Sequence, residues 1–133
     1  MQFLGYVAPE CLEEQLAEAA TIVMPSPAGE VFGIVAAENM SRGKLVIGSD
    51  VGAIREVMGD AGLSFPPGDA GALAALMGRV LEDAALPAKL GHRARQRASR
   101  MFLEERMVGE HLAVYTQLLG ESGPSPKHVS EEG

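Results

Sequence analysis

The stretch PSPAGEVFGIVAAE, from Pro25 to Glu38, decides how the rest of the sequence is interpreted. Its first residues are Pro, Ser, Ala and Gly, which favour a turn with little side-chain bulk. Residues 32 to 40 are apolar almost throughout, and a helix that is apolar on every side is normally buried on every side. The stretch therefore predicts a loop that leads into the N-terminus of a buried helix.

Glu38 is the charged residue of this predicted helix. A carboxylate removed from water needs a hydrogen-bonding partner, because its desolvation is costly. Gly33 lets another group approach the backbone closely, and the unpaired N–H groups at a helix N-terminus attract anions. The helix thus offers an anion site at its tip and a polar acceptor about a turn and a half deeper. A sugar or nucleoside linked to phosphate has this outline.

Two other interpretations of these residues stay open at this point. In the first, the segment is an ordinary core helix and Glu38 points outward through a gap in the packing. In the second, Glu30 and Glu38 are the acid and base of a glycoside hydrolase. Eight residues of helix separate two side chains by roughly 12 Å. That exceeds the roughly 5 to 9.5 Å between the carboxyl groups of such enzymes, so the pair would serve only if the loop folds back.

The spacing of the two acids carries a resemblance to a known family. Glu30, seven intervening residues and Glu38, with Phe32 and Gly33 after the first acid, resemble the EX7E motif of the retaining glycosyltransferases of family 4, or group 1. Members of this family have the GT-B fold. Further blocks resemble it in the same order: FLGYV at Phe3–Val7, TIVMPS at Thr21–Ser26, VIGSDVGAIREV at Val46–Val57 and FPPGD at Phe65–Asp69. The resemblance extends to about Gly120.

The resemblance implies a role for each matched residue at a nucleotide-sugar site. Glu38 would hydrogen-bond the ribose hydroxyls of a UDP-, GDP- or ADP-sugar donor, and Glu30, in the catalytic position, would lie by the hydroxyls of the transferred sugar. The remaining donor-binding positions have backbone roles. The amides of Gly33, Ile34 and Val35, next to Phe32, would face sugar and diphosphate, and the nucleobase would lie near Tyr6, Val7 and Ser26.

The family chemistry retains the anomeric configuration of the transferred hexosyl group. Fixed donors and cations stabilise the developing diphosphate charge without an obligatory metal, and neither glutamate need be a nucleophile. No metal site and no cofactor are assigned, because His92, His111 and His128 lack metal-ligand spacing. The acceptor is not indicated.

A complete member of the family has an acceptor-binding domain, followed by a donor domain whose first strands carry an Arg and a Lys for the diphosphate. This chain begins at what resembles the third strand of the donor domain. Arg42, Lys44 and Arg55 are not obvious substitutes for the two cations. We therefore expect the isolated chain to be inactive in sugar transfer.

Composition agrees with a single globular domain and excludes several classes of protein. The chain has 133 residues, 47% of them apolar, which suffices for one hydrophobic core. A formal net charge of -7 argues against a general nucleic-acid binder. Cys11 is the single cysteine, which excludes an internal disulfide and is compatible with the cytoplasm. No apolar run is long enough for a transmembrane segment, although peripheral membrane contact stays open.

Alternating strands and helices predict an α/β fold, a Rossmann-like parallel sheet with flanking helices. Residues 1–121 are assigned to a partial nucleotide-sugar-binding domain and residues 122–133 to a disordered tail. Strands are predicted at Met1–Tyr6, Thr21–Met24, Leu45–Ser49 and Leu63–Phe65. Helices are predicted from Pro9, from Phe32, at Ala53–Met58, after the N-cap Asp69, from Pro87 and at Glu104–Leu119. Inward stripes are predicted for the last three helices, and include Met77 and Leu81, then Met101, then Val108, Leu112, Tyr115 and Leu119.

Two features concern partners. In the family's strand order, two absent strands would separate Met1–Tyr6 from Thr21–Met24, so Met1–Tyr6 would pair directly with Thr21–Met24, pair with another molecule or stay loose. An exposed parallel edge of this kind invites self-association. The helix from Pro87 carries Lys89, His92, Arg93, Arg95, Arg97 and Arg100, which would hold an acidic lipid headgroup or polyanionic acceptor or would simply form a solvated face. A noncatalytic nucleotide-binding or assembly module, which completes a site with a partner chain, is the alternative to an enzyme.

Overall fold

A computed structural model of the protein describes residues 2–28 and 30–120. The chain divides into two units, one ending at Met101 and the other beginning at Phe102, and each is described by itself. In the first unit, helices and strands alternate up to the last strand, after which two further helices follow. They are α1 (Pro9–Glu18), β1 (Thr21–Met24), α2 (Ile34–Ser41), β2 (Leu45–Ser49), α3 (Gly52–Met58), β3 (Leu63–Phe65), α4 (Ala70–Glu82) and α5 (Leu86–Met101).

The three strands form one parallel sheet in the order β1-β2-β3, as the alternation of strands and helices predicts. Val23 pairs with Ile47, and Ile47 pairs with Leu63. All five residues of β2 are buried, because this central strand has a neighbour on each side and helices on its faces. The predicted α/β parallel sheet with flanking helices is confirmed.

The residues of β2 alternate between two packed faces. On one face, Leu45 and Ile47 form a core with Phe65 and Leu90, against which residues of α4 pack. On the other face, Gly48 leaves room for α3, because a Cβ atom there would lie 2.6 Å from Cγ2 of Ile54. This alternation places helices on both sides of the sheet.

The predicted strand at Met1–Tyr6 is wrong. Residues 2–5 have no strand structure, and Met1 lies outside the described residues. Gly5 has φ +64°, which interrupts an extended backbone, and Phe3 and Tyr6 are 85% and 90% exposed. An apolar run favours a buried strand, but among the described residues no strand lies on the outer edge of β1 to cover it.

The N-cap of α4 lies where the sequence predicts it. The apolar stripes predicted for α4 and α5 are only partly buried. Asp69 caps α4, because its Oδ1 accepts a hydrogen bond of 2.8 Å from the Ala72 amide. The prediction that Met77 and Leu81 face inward is wrong: they are 45% and 85% exposed, since α4 contacts the core through Ala72, Leu73, Leu76 and Val80. Met101, at the last position of α5, is also exposed instead of inward.

The second unit contains α6 (Glu104–Leu119), whose bounds match the prediction. The expected inward stripe of this helix is wrong: Val108, Leu112, Tyr115 and Leu119 are all exposed. Apolar residues that recur at the helical period indicate that a helix has an apolar face, but they do not show that another part of the chain covers this face. The predicted disordered tail, residues 122–133, lies outside the described residues.

Candidate functional site

Glu30, the first acid of the candidate motif, forms a hydrogen bond with the residue that precedes α2. Oε1 of Glu30 accepts a hydrogen bond of 3.1 Å from the backbone amide of Gly33, so this amide, expected to face sugar and diphosphate, is bonded within the protein instead. Gly33 is the N-cap of α2 and has φ +81°, a left-handed conformation that glycine adopts without strain. The half-buried Glu30 side chain therefore lies directly in front of the helix that carries Glu38.

The backbone of Glu30 is held by the start of α3. The Ala53 amide donates to the Glu30 carbonyl oxygen over 3.4 Å. The same oxygen lies only 2.4 Å from the position that a Cβ atom would occupy on Gly52, whose φ is +46°. A glycine at residue 52 is thus required both for its backbone conformation and for the close approach of the loop.

We expect Gly52→Ala to destabilise the protein by about 1 to 3 kcal/mol, because the methyl group clashes with the Glu30 carbonyl and the left-handed backbone becomes strained. Urea unfolding measures this loss. Gly68→Ala is the matched control, since Gly68 has φ +77° but no atom within 4 Å of the position that a Cβ atom would take. If both variants lose the same stability, the loop is not held by this contact.

The first turn of α2 presents backbone donors. Within the described residues, the amides of Ile34, Val35 and Ala36 form no hydrogen bond, since the first pairing in the helix is from the Ala37 amide to the Gly33 carbonyl. Ile34 and Val35 are 60% and 51% exposed. The exposed amides of Ile34 and Val35, at the positive end of the helix dipole, suit an anion.

Glu38 is exposed, which corrects the expectation that it is buried. Its side chain is 57% exposed, and its Oε2 lies 4.0 Å from Nη1 of Arg42. α2 buries Ala36, Ala37, Asn39 and Met40, while Ile34, Val35 and Glu38 share the opposite face, because residues three and four apart lie together on a helix. The nearly all-apolar sequence concealed this two-sided arrangement. The interpretation of Glu38 as an outward-pointing residue describes its orientation correctly.

Arg42 links Glu38 to the first helix. Its Nε donates to Oε2 of Glu13 over 3.2 Å, and its Nη2 donates to Oε1 of the same carboxylate. This hydrogen bond lowers the pKa of Glu13 and raises the pKa of Arg42. Because the pKa of Glu13 is depressed, the link is present at neutral pH and is lost as the pH falls through the folded-state pKa. Glu38 keeps its carboxylate open to solvent beside this pair.

Ser49 fixes the loop after β1, and sequence reasoning did not identify it. Its buried hydroxyl donates to the carbonyl oxygen of Ser26 over 2.5 Å and lies 3.3 Å from that of Met24. Ser26, predicted to lie by the nucleobase, is therefore anchored to the carboxyl end of β2. No sequence pattern signals a contact across this separation along the chain.

The other predicted site residues are exposed or half-buried. Tyr6 is almost fully exposed, Val7 is half-buried and Phe32 is 49% exposed. Within the described residues, no hydrogen bond joins Tyr6 or Val7 to Ser26 or to α2. The structure thus brings Glu30 and Gly33 together and places Ile34, Val35 and Glu38 on one face, whereas Tyr6 and Val7 have no bonded link to them.

The part of the chain that the structure describes offers neither a metal cluster nor a membrane-spanning helix. Its His, Cys, Asp and Glu residues include no group of three or more arranged to hold a metal ion. Its helices all lack the combination of length and apolar character that crossing a membrane requires.

Comparison with known proteins identifies the family of this arrangement. The model of the family described as glycosyl transferases group 1 matches residues 1–97. A phosphatidyl-myo-inositol mannosyltransferase from Mycolicibacterium smegmatis is 38% identical over 102 residues, which are 75% of this chain and 26% of the relative.

Two solved structures share the fold. Sucrose-phosphate synthase from Thermosynechococcus elongatus superimposes with a TM-score of 0.76 and 36% identity, over 91% of this chain and 31% of that one. Anabaena HepE, solved in complex with UDP and glucose, has a TM-score of 0.73 and 27% identity, over 85% of this chain and 32% of its own. The chain spans less than a third of the length of these relatives.

Proposed function

The chain belongs to the glycosyl transferases group 1, which have the GT-B fold, and on this premise we propose that it binds a nucleotide-diphospho-sugar donor through the exposed face of α2. The exposed amides of Ile34 and Val35 bind the diphosphate. Glu38 accepts hydrogen bonds from the ribose, and Glu30 lies by the transferred sugar. The observation that carries the proposal is the set of unpaired amides at the tip of α2, between the two acids.

The chemistry of this face suits such a donor. A diphosphate is doubly anionic or more, and it gains both from direct N–H contacts and from the helix dipole. Glu38 retains an exposed carboxylate that accepts two hydroxyl hydrogen bonds without being desolvated beforehand. The exposed Phe32, Ile34 and Val35 offer apolar surface for a sugar ring. The binding of UDP and glucose by Anabaena HepE supports UDP as the first nucleotide to test.

We propose further that the family's retaining transfer of a hexosyl group does not proceed at a useful rate on this chain alone. A departing diphosphate needs free cations, whose loss commonly costs several kcal/mol of transition-state stabilisation. The candidate cations are engaged elsewhere: Arg42 pairs with Glu13, Arg55 donates to Asp50 over 2.8 Å, and Lys44 donates to the Ala17 carbonyl over 3.0 Å.

A noncatalytic assembly module is the second candidate, and one observation favours it. Among the described residues, β1 has a strand partner on one side and none on the other. An unpaired edge offers backbone donors and acceptors to another chain, so we propose self-association through β1. Multi-angle light scattering tests this, and a monomer at every concentration up to the solubility limit would contradict it.

Calorimetric titration of the chain with uridine, UDP and UDP-glucose tests the donor proposal. We expect UDP and the nucleotide sugar to bind and uridine to bind at least tenfold more weakly, since the helix tip recognises phosphate. GDP and ADP, with their sugars, extend the series to the other bases. If no nucleoside diphosphate binds at all, the assembly module becomes the better account, and robust sugar transfer by the chain alone would contradict the proposed inactivity.

A further inference from the structure

A cavity lies away from the candidate donor face. Its volume is about 470 Å³, and it lies between α5 and the turn that follows α3. That turn precedes β3, so the cavity is at the amino ends of the strands, whereas the loops with Ser26 and Glu30 follow the carboxyl end of β1. The lining includes Asp60, Ala61, Arg93, Gln96, Arg97 and Arg100.

Arg97 is held in one position within this cavity. Its Nε donates to the carbonyl oxygen of Val57 over 2.9 Å, and its Nη2 donates to that of Glu56 over 2.8 Å. The Arg97 guanidinium fits in this position because residue 59 is a glycine. A Cβ atom on residue 59 would lie 2.7 Å from Cζ of Arg97. A guanidinium has five N–H donors, so further donors remain after these two bonds. The charge is thus ordered before any ligand arrives.

Arg93 adds a second charge one helical turn before Arg97. It is exposed and forms no hydrogen bond or ion pair with another described residue. The guanidinium groups of Arg93 and Arg97 outnumber the one carboxylate of the lining, Asp60, so the cavity is positive in a chain whose net charge is -7.

We propose that this cavity binds a phosphate group of an anionic ligand, with Arg97 as a fixed donor and Arg93 closing on the anion. Planar guanidinium groups match phosphate oxygens in a two-bond geometry that adds both strength and specificity. The phosphate belongs either to a small soluble molecule or to a lipid headgroup, and both present the same oxygens to the cavity. The site is independent of donor binding at α2.

The test uses Arg93→Gln, because Arg93 has no structural partner to lose among the described residues. Pyrophosphate is titrated into the chain by calorimetry, with the α2 site already saturated by UDP, and association with phosphatidylglycerol vesicles is measured against phosphatidylcholine vesicles by co-sedimentation. Loss of one charged contact is expected to weaken binding about tenfold. Arg79→Gln, which removes the same charge from α4, is the matched control and leaves binding unchanged within about twofold.

Each outcome decides the proposal. If Arg93→Gln weakens pyrophosphate binding and Arg79→Gln does not, the proposal is supported with a soluble ligand. If Arg93→Gln weakens only the association with anionic vesicles, the proposal is supported with a lipid headgroup. If wild-type protein binds neither pyrophosphate nor anionic vesicles, the proposal is overturned. It is equally overturned if Arg79→Gln reduces binding as much as Arg93→Gln does, because the effect then reflects overall charge. Retained UDP binding in both variants shows that the donor site is unaffected.

Discussion

Glu38→Ala is expected to weaken binding of the preferred nucleoside diphosphate about tenfold, since a hydrogen bond to a charged group contributes about 1.5 kcal/mol or more. The exposed position of Glu38 favours the lower end of that range, because water competes for the carboxylate. Stability should change little, because the pair with Arg42 is long, at 4.0 Å, and on the surface. Calorimetric titration measures the loss of affinity.

A change of ligand makes this prediction specific to the ribose. Wild-type protein should bind UDP more tightly than its 2′,3′-dideoxy analogue, and Glu38→Ala should bind the two about equally. Glu14→Ala is the matched control, since it removes one exposed carboxylate from α1 without touching α2. If Glu38→Ala retains the preference for the ribose hydroxyls, Glu38 does not contact them.

Gly91→Ala is expected to produce the largest loss of stability, about 3 kcal/mol, which lowers the melting temperature by about 10 °C. A Cβ atom at residue 91 would lie 2.0 Å from the carbonyl oxygen of Gly43, in the turn between α2 and β2. The Gly43 carbonyl is part of the backbone and a Cβ atom is fixed to its own backbone, so no side-chain rotation relieves the clash. The α5 helix would have to move away from α2, which also holds Glu38.

Gly78→Ala is the control for Gly91→Ala. Gly78 lies within α4, and no atom is within 4 Å of the position a Cβ atom would take. Alanine in an open helix position lowers the entropy of the unfolded chain, so we expect a gain of about 0.5 to 1 kcal/mol. Thermal unfolding of the two variants should therefore shift in opposite directions. Equal shifts would show that α5 does not depend on this close contact.

The order of elements could be predicted because the sequence marks them locally. TIVM, LVIGS and LSF are short apolar runs bounded by Pro or Gly or by loop residues, and each is a strand with the predicted bounds. Asp69 precedes the apolar period of α4 and caps it, as its position predicts. These signals are contained within a few residues, and parallel pairing follows from the helices between the strands.

The incorrect predictions share one cause, which is that burial depends on distant parts of the fold. Phe3 and Leu4 resemble strand residues, yet no neighbour covers them among the residues described. The apolar period of α6 predicts an inward stripe, but a period does not supply a covering surface. The apolar Ile34 and Val35 beside Glu38 favour a place in the core, and both are exposed.

The contacts that shape the candidate site could not be read from the sequence. Ser49 bonds to Ser26, and Gly52 admits the Glu30 carbonyl. Each joins residues that are more than twenty positions apart, and each depends on the packing of elements that surround it. The spacing of Glu30 and Glu38 indicated the family, whereas the geometry of the loop required the structure.

NMR spectra of the isotopically labelled chain, recorded during titration with UDP, show directly whether the tip of α2 holds the diphosphate. We expect the largest shifts at the backbone amides of Ile34 and Val35, smaller shifts at Gly33 and Ala36, and a weaker effect from inorganic phosphate at the same concentration. If UDP binds while these amides remain unshifted, or if the shifts are confined to α5, the tip of α2 is not the diphosphate site.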